Sequence, residues 1–425
     1  MRAALYRKIC DFKSLSVLFF IGQDVIEQLI MDMIEKLSVH EQWLRFLEYK
    51  KSGGHLSRAE QVQLEEFIKK KQYLPVAESL ARGGVFSLPE AVKVNKQFST
   101  KKRTVFVFPK SENYVQKMLA YLMLDFDSVF ADNLYSFRKN MGAKKAITRI
   151  ICSANIAEMY SYKLDISDYF GSVSVKRLLP RLHEVLEREE RLFALLNAML
   201  EEKRALCEGE VIEMEKGILA GCPLSGFFAN LYLSELDRYF AEKGVLYARY
   251  SDDIIVFAPT REQLNAHKKF ILQFLAKNEL QLNADKEYYS APHEEWTFLG
   301  FRYRGGTVDI SEVSKRKLKK KMKRKARALL RWKKRKGASA EQAVRAYIRY
   351  FNRKLYDNPV NNELTWARWY FPIINTAESL KELDAFEQQC IRYLATETYS
   401  KKQFEFTYEQ MKACGYVTLV NRFYE

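Results

Sequence analysis

The sequence predicts an α+β protein, and three observations carry that reading. The first stretch, to about residue 75, and everything beyond about 305 follow helical apolar spacing. The middle alternates short β-prone runs with helical ones. Two of those runs, Val245 to Tyr250 and Ile254 to Ala258, flank the polar turn Ser251-Asp252-Asp253, which is a hairpin signature.

Taken in order, Leu29, Ile30, Ile34 and Leu37 share a helical face. The pair Gly53-Gly54 breaks the pattern, and Ser57 is a good N-cap for a helix running through Glu60 to Lys71. Thr104 to Phe108 reads as a strand ending at Pro109, and Tyr114 to Phe126 as helix. Tyr160 to Ile166 reads as a strand, Val175 to Ala198 as one helix and 226–240 as another. After the hairpin come a helix at 261–278 and a strand pair from Trp296 to Tyr303. Three regions result: a helical N-terminal extension (1–95), a mixed domain (96–305) and a basic helical C-terminal region (306–425).

Charge narrows the partners. Lys and Arg exceed Asp and Glu by 70 − 53 = 17, which points to a polyanion. From Lys315 to Lys336 there are 15 basic residues and no acid, so this stretch supplies most of the excess. Leu318, Met322, Ala326 and Leu330 recur every four residues within it, the mark of a basic amphipathic helix. Tyr347, Phe351 and Leu355 share a face of the next helix. The six cysteines form no CxxC pair and the five histidines no HExxH, so neither a disulfide framework nor a zinc site has support. Leu15 to Ile21 is too short to span a bilayer. The expected setting is a reducing cytoplasm, with no membrane partner.

The chemistry concentrates on carboxylates. Adjacent acids such as Asp252 and Asp253 repel and cost desolvation unless something neutralises them. Taken alone, Ser251-Asp252-Asp253 also fits an ordinary solvated turn. Asp165, however, ends another apolar strand, and antiparallel pairing would bring it beside the turn. Three carboxylates there would suit two divalent cations arranged for in-line phosphoryl transfer, with Mg²⁺ the natural choice for an oxygen-only site and Mn²⁺ an alternative.

A set of ordered blocks resembles the reverse transcriptases of the bacterial group II intron and retron class. Lys101-Lys-Arg103 before Pro109 resembles the fingers segment that grips a triphosphate. Tyr135-Ser-Phe-Arg138 resembles the S-x-G-F-R block. Leu164-Asp165-Ile-Ser-Asp-Tyr-Phe170 is similar to motif A. Gly217 to Ser225, with Asn230-Leu-Tyr-Leu and Leu236-Asp237, is similar to motif B. Tyr250-Ser-Asp-Asp253 resembles the YxDD box, Asn283-Ala-Asp-Lys286 motif D, and Phe298-Leu-Gly-Phe301 the primer grip. The last stretch, ending in Gly415 to Asn421, is similar to a group II intron-type thumb.

The resemblance implies a right-hand polymerase fold of fingers, palm and thumb and an RNA-directed DNA polymerase. Asp165, Asp252 and Asp253, with the Ile166 carbonyl, would hold the metal ions. Lys286 would be a general acid. Lys101, Arg103, Phe170, Ala220 and Gly221 would bind the deoxynucleoside triphosphate, with Phe170 blocking a 2′-hydroxyl. Tyr250, Pro223, Ser225, Lys315, Arg316, Lys319, Lys320, Lys323, Arg324 and Arg327 would contact the RNA template and the DNA product. Two departures stand out: Ala220 replaces a usual glutamine, and the 135–138 block lacks its glycine. With no resemblance to a nuclease, integrase or RNase H after the thumb, the chain looks most like defence-associated enzymes that protect against phage with a noncoding RNA. A retron, a diversity-generating element, a group II intron-type enzyme, and a maturase-like RNA-binding protein with an idle polymerase site remain open.

Overall fold

The computed structural model describes residues 31–53, 56–95, 102–213, 217–356 and 364–425. Leu15 to Ile21, Leu29, Ile30 and Lys101 lie outside them.

The N-terminal helices begin with Met33–Lys36 and His40–Ser52 and continue with Arg58–Lys69 and Leu74–Ala81. Ser57 caps the third as the sequence predicts: its hydroxyl receives the Glu60 N–H while the Glu60 carboxylate receives the Ser57 N–H. These helices do not form a core of their own. Trp43, Phe46 and Phe67 are buried in one cluster with Leu164, Ile254 and Val256 from the centre of the molecule.

Strands β1 (Glu90–Asn95) and β2 (Lys102–Val107) form an antiparallel pair. β1 also lies beside β4 (Arg204–Cys207), which pairs with β5 (Glu210–Glu213), giving the order β2-β1-β4-β5. The central sheet has the order β6-β7-β3-β8, built from β3 (Tyr160–Asp165), β6 (Tyr247–Tyr250), β7 (Asp253–Ala258) and β8 (Tyr288–Ser290). A third sheet joins β9 (Trp296–Phe298), β10 (Phe301–Arg304) and β11 (Thr307–Ile310). The expected strand pair at 296–303 is thus present and extended by a third strand.

Alternation along the central sheet makes it two-faced. Tyr162, Leu164, Ile254, Val256 and Tyr247 join the core shared with the N-terminal helices. Ile255, Phe257 and Ala248 join a second core with Trp296, Phe301 and the C-terminal helices. Ser161, Lys163, Asp165 and Asp253 belong to that second face, because they alternate with the first set.

Two helices are shorter than the sequence predicts. Val175 to Ala198 is two helices, Val175–Val185 and Glu190–Glu201, separated by a charged link around Glu187 to Glu189. The 226–240 helix is split into Ser225–Tyr232 and Ser234–Glu242, because Leu233 leaves helical geometry at φ −108°, ψ 9°. The basic helix is intact from Glu312 to Lys336, capped by Ser311 and ended by Gly337 at φ 62°. Leu318, Met322 and Ala326 are its buried stripe. It packs on Ala340–Leu355 and Glu378–Thr396. Among the described residues, no helix is long and apolar enough to cross a membrane.

Candidate active site

Pairing of β3 with β7 sets Asp165 directly opposite Asp253. Asp252 sits in the preceding turn, where its carbonyl accepts the Ile166 N–H at 3.2 Å. The three carboxylates that the sequence singles out therefore stand within electrostatic reach of one another. Burial, then the nearby Asp165 charge, raises the Asp252 pKa. Burial pushes Asp253 up to about 6, with Lys163 opposing the shift. Such groups gain most from a cation.

Lys286 reaches the same place. It lies on a short 3₁₀ turn, and its Nζ donates to Asp165 Oδ2 at 2.8 Å. Burial lowers its pKa, but the Asp165 hydrogen bond and charge outweigh that and raise it. Asn283 steadies the same carboxylate, donating from Nδ2 to Oδ1 at 3.3 Å.

Among the described residues no three His, Cys, Asp or Glu side chains close on one point tightly enough to hold an ion. The donor chemistry nonetheless fits a hard divalent cation: carboxylate oxygens at a half-buried turn, with a lysine ammonium holding one of them. Asp165, Asp252 and Asp253 are the residues that would hold it, with Ile166 in a β-bridge to Leu282 beside them.

Beneath the turn lies a buried polar network that sequence reasoning quotes only in pieces. Ser251 adopts a left-handed φ of 60°, and its N–H donates to Ser136 Oγ at 2.8 Å. Arg249, fully buried, donates from Nη1 to the Ser251 carbonyl at 3.2 Å. Its Nη2 meets Asp237 Oδ2 at 2.5 Å and the Asn230 carbonyl at 3.0 Å. Asn230 Nδ2 donates to the Ser136 carbonyl at 2.7 Å, and Tyr247 OH donates to Asp237 Oδ1 at 2.9 Å. The signal was present: an arginine inside an apolar strand run must find a buried carboxylate.

Motif-B residues pack between β2 and the segment that follows Asp165. The Ala220 carbonyl accepts the Phe106 N–H of β2 at 2.8 Å. Gly221 has φ 101°, and a Cβ there would stand 3.2 Å from the Phe106 carbonyl. Ile218 N–H donates to the Phe170 carbonyl at 2.8 Å, so this loop also holds the segment after Asp165. Phe170 is partly exposed and meets Phe137 edge-on at 6.5 Å. Arg103 lies on β2 opposite Val94. Pro223 and Tyr250 are partly buried.

Three expected nucleic-acid contacts have partners within the protein. Ser225 is buried, and its hydroxyl donates to the Leu219 carbonyl at 2.7 Å, so it braces the loop from inside. Lys315 is buried, and its ammonium is held by Glu312 and Glu382. Lys319 shares Glu382. Both lysines face the Glu378–Thr396 helix, because the buried stripe of the basic helix turns them inward. Arg316, Lys320, Lys323, Arg324 and Arg327 are exposed.

With this geometry in hand, residues 93–303 match the family described as Reverse transcriptase (RNA-dependent DNA polymerase). These residues are a reverse transcriptase domain. The retron Ec86 reverse transcriptase of Escherichia coli is 21% identical over 172 residues, which are 40% of this chain and 50% of that protein. The chain thus spans about half the length of the curated relative it matches. Solved structures similar to this chain include apo telomerase from Candida tropicalis, at 12% identity and TM-score 0.48, covering 77% of this chain and 59% of that one. Telomerase from Candida albicans in complex with a TWJ fragment of telomeric RNA is similar at 11% identity and TM-score 0.43, covering 83% and 71%.

Proposed function

We propose that the chain is an RNA-directed DNA polymerase that extends a primer on an RNA template, using deoxynucleoside triphosphates and Mg²⁺, or Mn²⁺ in its place. The observation that carries this is the β3–β7 register, which sets Asp165 against Asp253 with Asp252 in the adjoining turn. Bound there, Mg²⁺ would activate the primer 3′-hydroxyl and neutralise charge on the leaving pyrophosphate. The 3′-oxygen attacks the α-phosphorus, and the bond to pyrophosphate breaks. Lys286, released from Asp165, gives its proton to that leaving group. In this reading Phe170 would meet the sugar with its ring, and Gly221 would leave room for the nascent pair. Arg316, Lys320, Lys323, Arg324 and Arg327 hold the duplex by its phosphates.

At the level of biology, the reading is a cytoplasmic enzyme of antiphage defence that works with a dedicated noncoding RNA. Its support is the resemblance of the motif blocks, including the atypical Ala220. The chemical reading is tested by templated deoxynucleotide incorporation. The expected outcome is complete loss in Asp252→Asn/Asp253→Asn with RNA binding retained. A double variant that still extends primers would refute it. For the biological role, the same pair is compared for plaque formation in cells carrying the gene with its flanking DNA. Protection is expected only with the unaltered chain.

A further inference from the structure

One cation at the site is left unused by the reaction described above. Lys163 lies two residues before Asp165 on β3, so both side chains share the catalytic face, about 6.6–6.8 Å apart along the strand. Its Nζ is 3.9 Å from Asp253 Oδ1, within ion-pair range but beyond a hydrogen bond. The same ammonium lies 5.7 Å from the centre of the Tyr288 ring. Tyr288 is its register partner on the edge strand β8, and it is 52% exposed. Lys163 is thus loosely tied, with a carboxylate on one side and an open aromatic ring on the other. By contrast, Lys286 makes a direct 2.8 Å bond to Asp165.

We propose that Lys163 is an exchangeable counter-ion that couples primer binding to metal binding. Without nucleic acid, its ammonium neutralises Asp253. When a primer–template enters, the ammonium transfers to a backbone phosphate near the primer 3′ end, and the Tyr288 ring lies against the adjoining sugar. Asp253 is then free to ligate the divalent cation. The primer is assigned to this edge because Lys163 pairs in register with the exposed Tyr288 of β8, whereas β2 and the Ala220–Gly221 loop, joined by the Phe106 to Ala220 hydrogen bond, are the part assigned above to the triphosphate. By linkage, the metal must strengthen primer binding by the same factor. This rests on the reading that Asp165, Asp252 and Asp253 form the metal site.

The experiment measures Mn²⁺ binding by electron paramagnetic resonance, with and without a 3′-deoxy-terminated primer annealed to RNA. The full chain is compared with Lys163→Met, Lys163→Arg and Asp252→Asn/Asp253→Asn. We expect the duplex to tighten Mn²⁺ binding by about five-fold or more in the unaltered chain. Lys163→Met, which keeps the apolar stem, should bind Mn²⁺ tightly with or without duplex. Lys163→Arg should retain the coupling. Coupling undiminished in Lys163→Met overturns the proposal and leaves the metal site standing. Mn²⁺ binding that is unchanged in the double aspartate variant overturns the metal site itself, and the proposal with it.

Discussion

At the scale of single residues, the decisive object is Arg249. Its guanidinium is fully buried, yet it is satisfied by Asp237, Asn230 and the carbonyl of Ser251. It thereby ties a strand, two helices and the left-handed residue of the catalytic turn together. Removing one member of a buried pair strands the other charge, at a cost of about 3–5 kcal/mol. Arg249→Met should lower unfolding free energy by that amount in urea titrations. The double variant Arg249→Met/Asp237→Leu should recover a large part of the loss, because no charge is then left alone. The carboxylates were legible in the sequence because adjacent acids in an apolar hairpin are costly. Lys163 was not, because a lone lysine in the Tyr160 to Ile166 run reads as an ordinary exposed strand position until the register is known.

At the scale of elements, the hairpin and the basic helix were legible, since alternation and a four-residue stripe are strong signals. The helix breaks were not. Leu178, Leu182, Leu192 and Leu195 are all buried on either side of the link, so the apolar pattern gives no warning of a change in direction. β5 escaped for the opposite reason: all four of its residues are exposed, so burial imprints no pattern on it. The Glu378–Thr396 helix carries a liability that its sequence hides. Glu387 is buried with Oε2 unpartnered, and burial, aided by Asp384, pushes its pKa up to about 8. A carboxyl raised on folding binds its proton more tightly in the folded chain. Stability is therefore lost as pH climbs from the unfolded value, about 4.3, toward 8. Glu387→Gln should raise the melting temperature at pH 8 and leave it nearly unchanged at pH 4, as read by circular dichroism.

At the scale of the whole molecule, an excess of 17 positive charges does not act as a uniform field. Part of the basic helix is spent inside the protein: Glu382 holds Lys315 and Lys319, and Glu397 holds Lys333 and Lys334. Only the outward residues remain for phosphates. Each phosphate that is no longer neutralised should reduce the slope of log affinity against log salt by about 0.9 on a DNA duplex. Arg324→Ala should show that reduction in fluorescence anisotropy titrations. Lys315→Ala should leave the slope unchanged while lowering thermal stability. Equal slopes for the two variants would mean that this face of the helix does not carry the duplex.

The central sheet divides its residues between two interiors, odd positions of β3 to one and even positions to the other. Length is therefore under a stricter constraint there than identity. Inserting or deleting one residue between Tyr160 and Leu164 would exchange the places of Leu164 and Asp165. A carboxylate would enter the oily layer shared with Trp43, and a leucine would stand opposite Asp253. Lineages of this chain can drift in composition along β3, but an alignment gap within it should mark a protein that no longer folds or no longer brings its three carboxylates together.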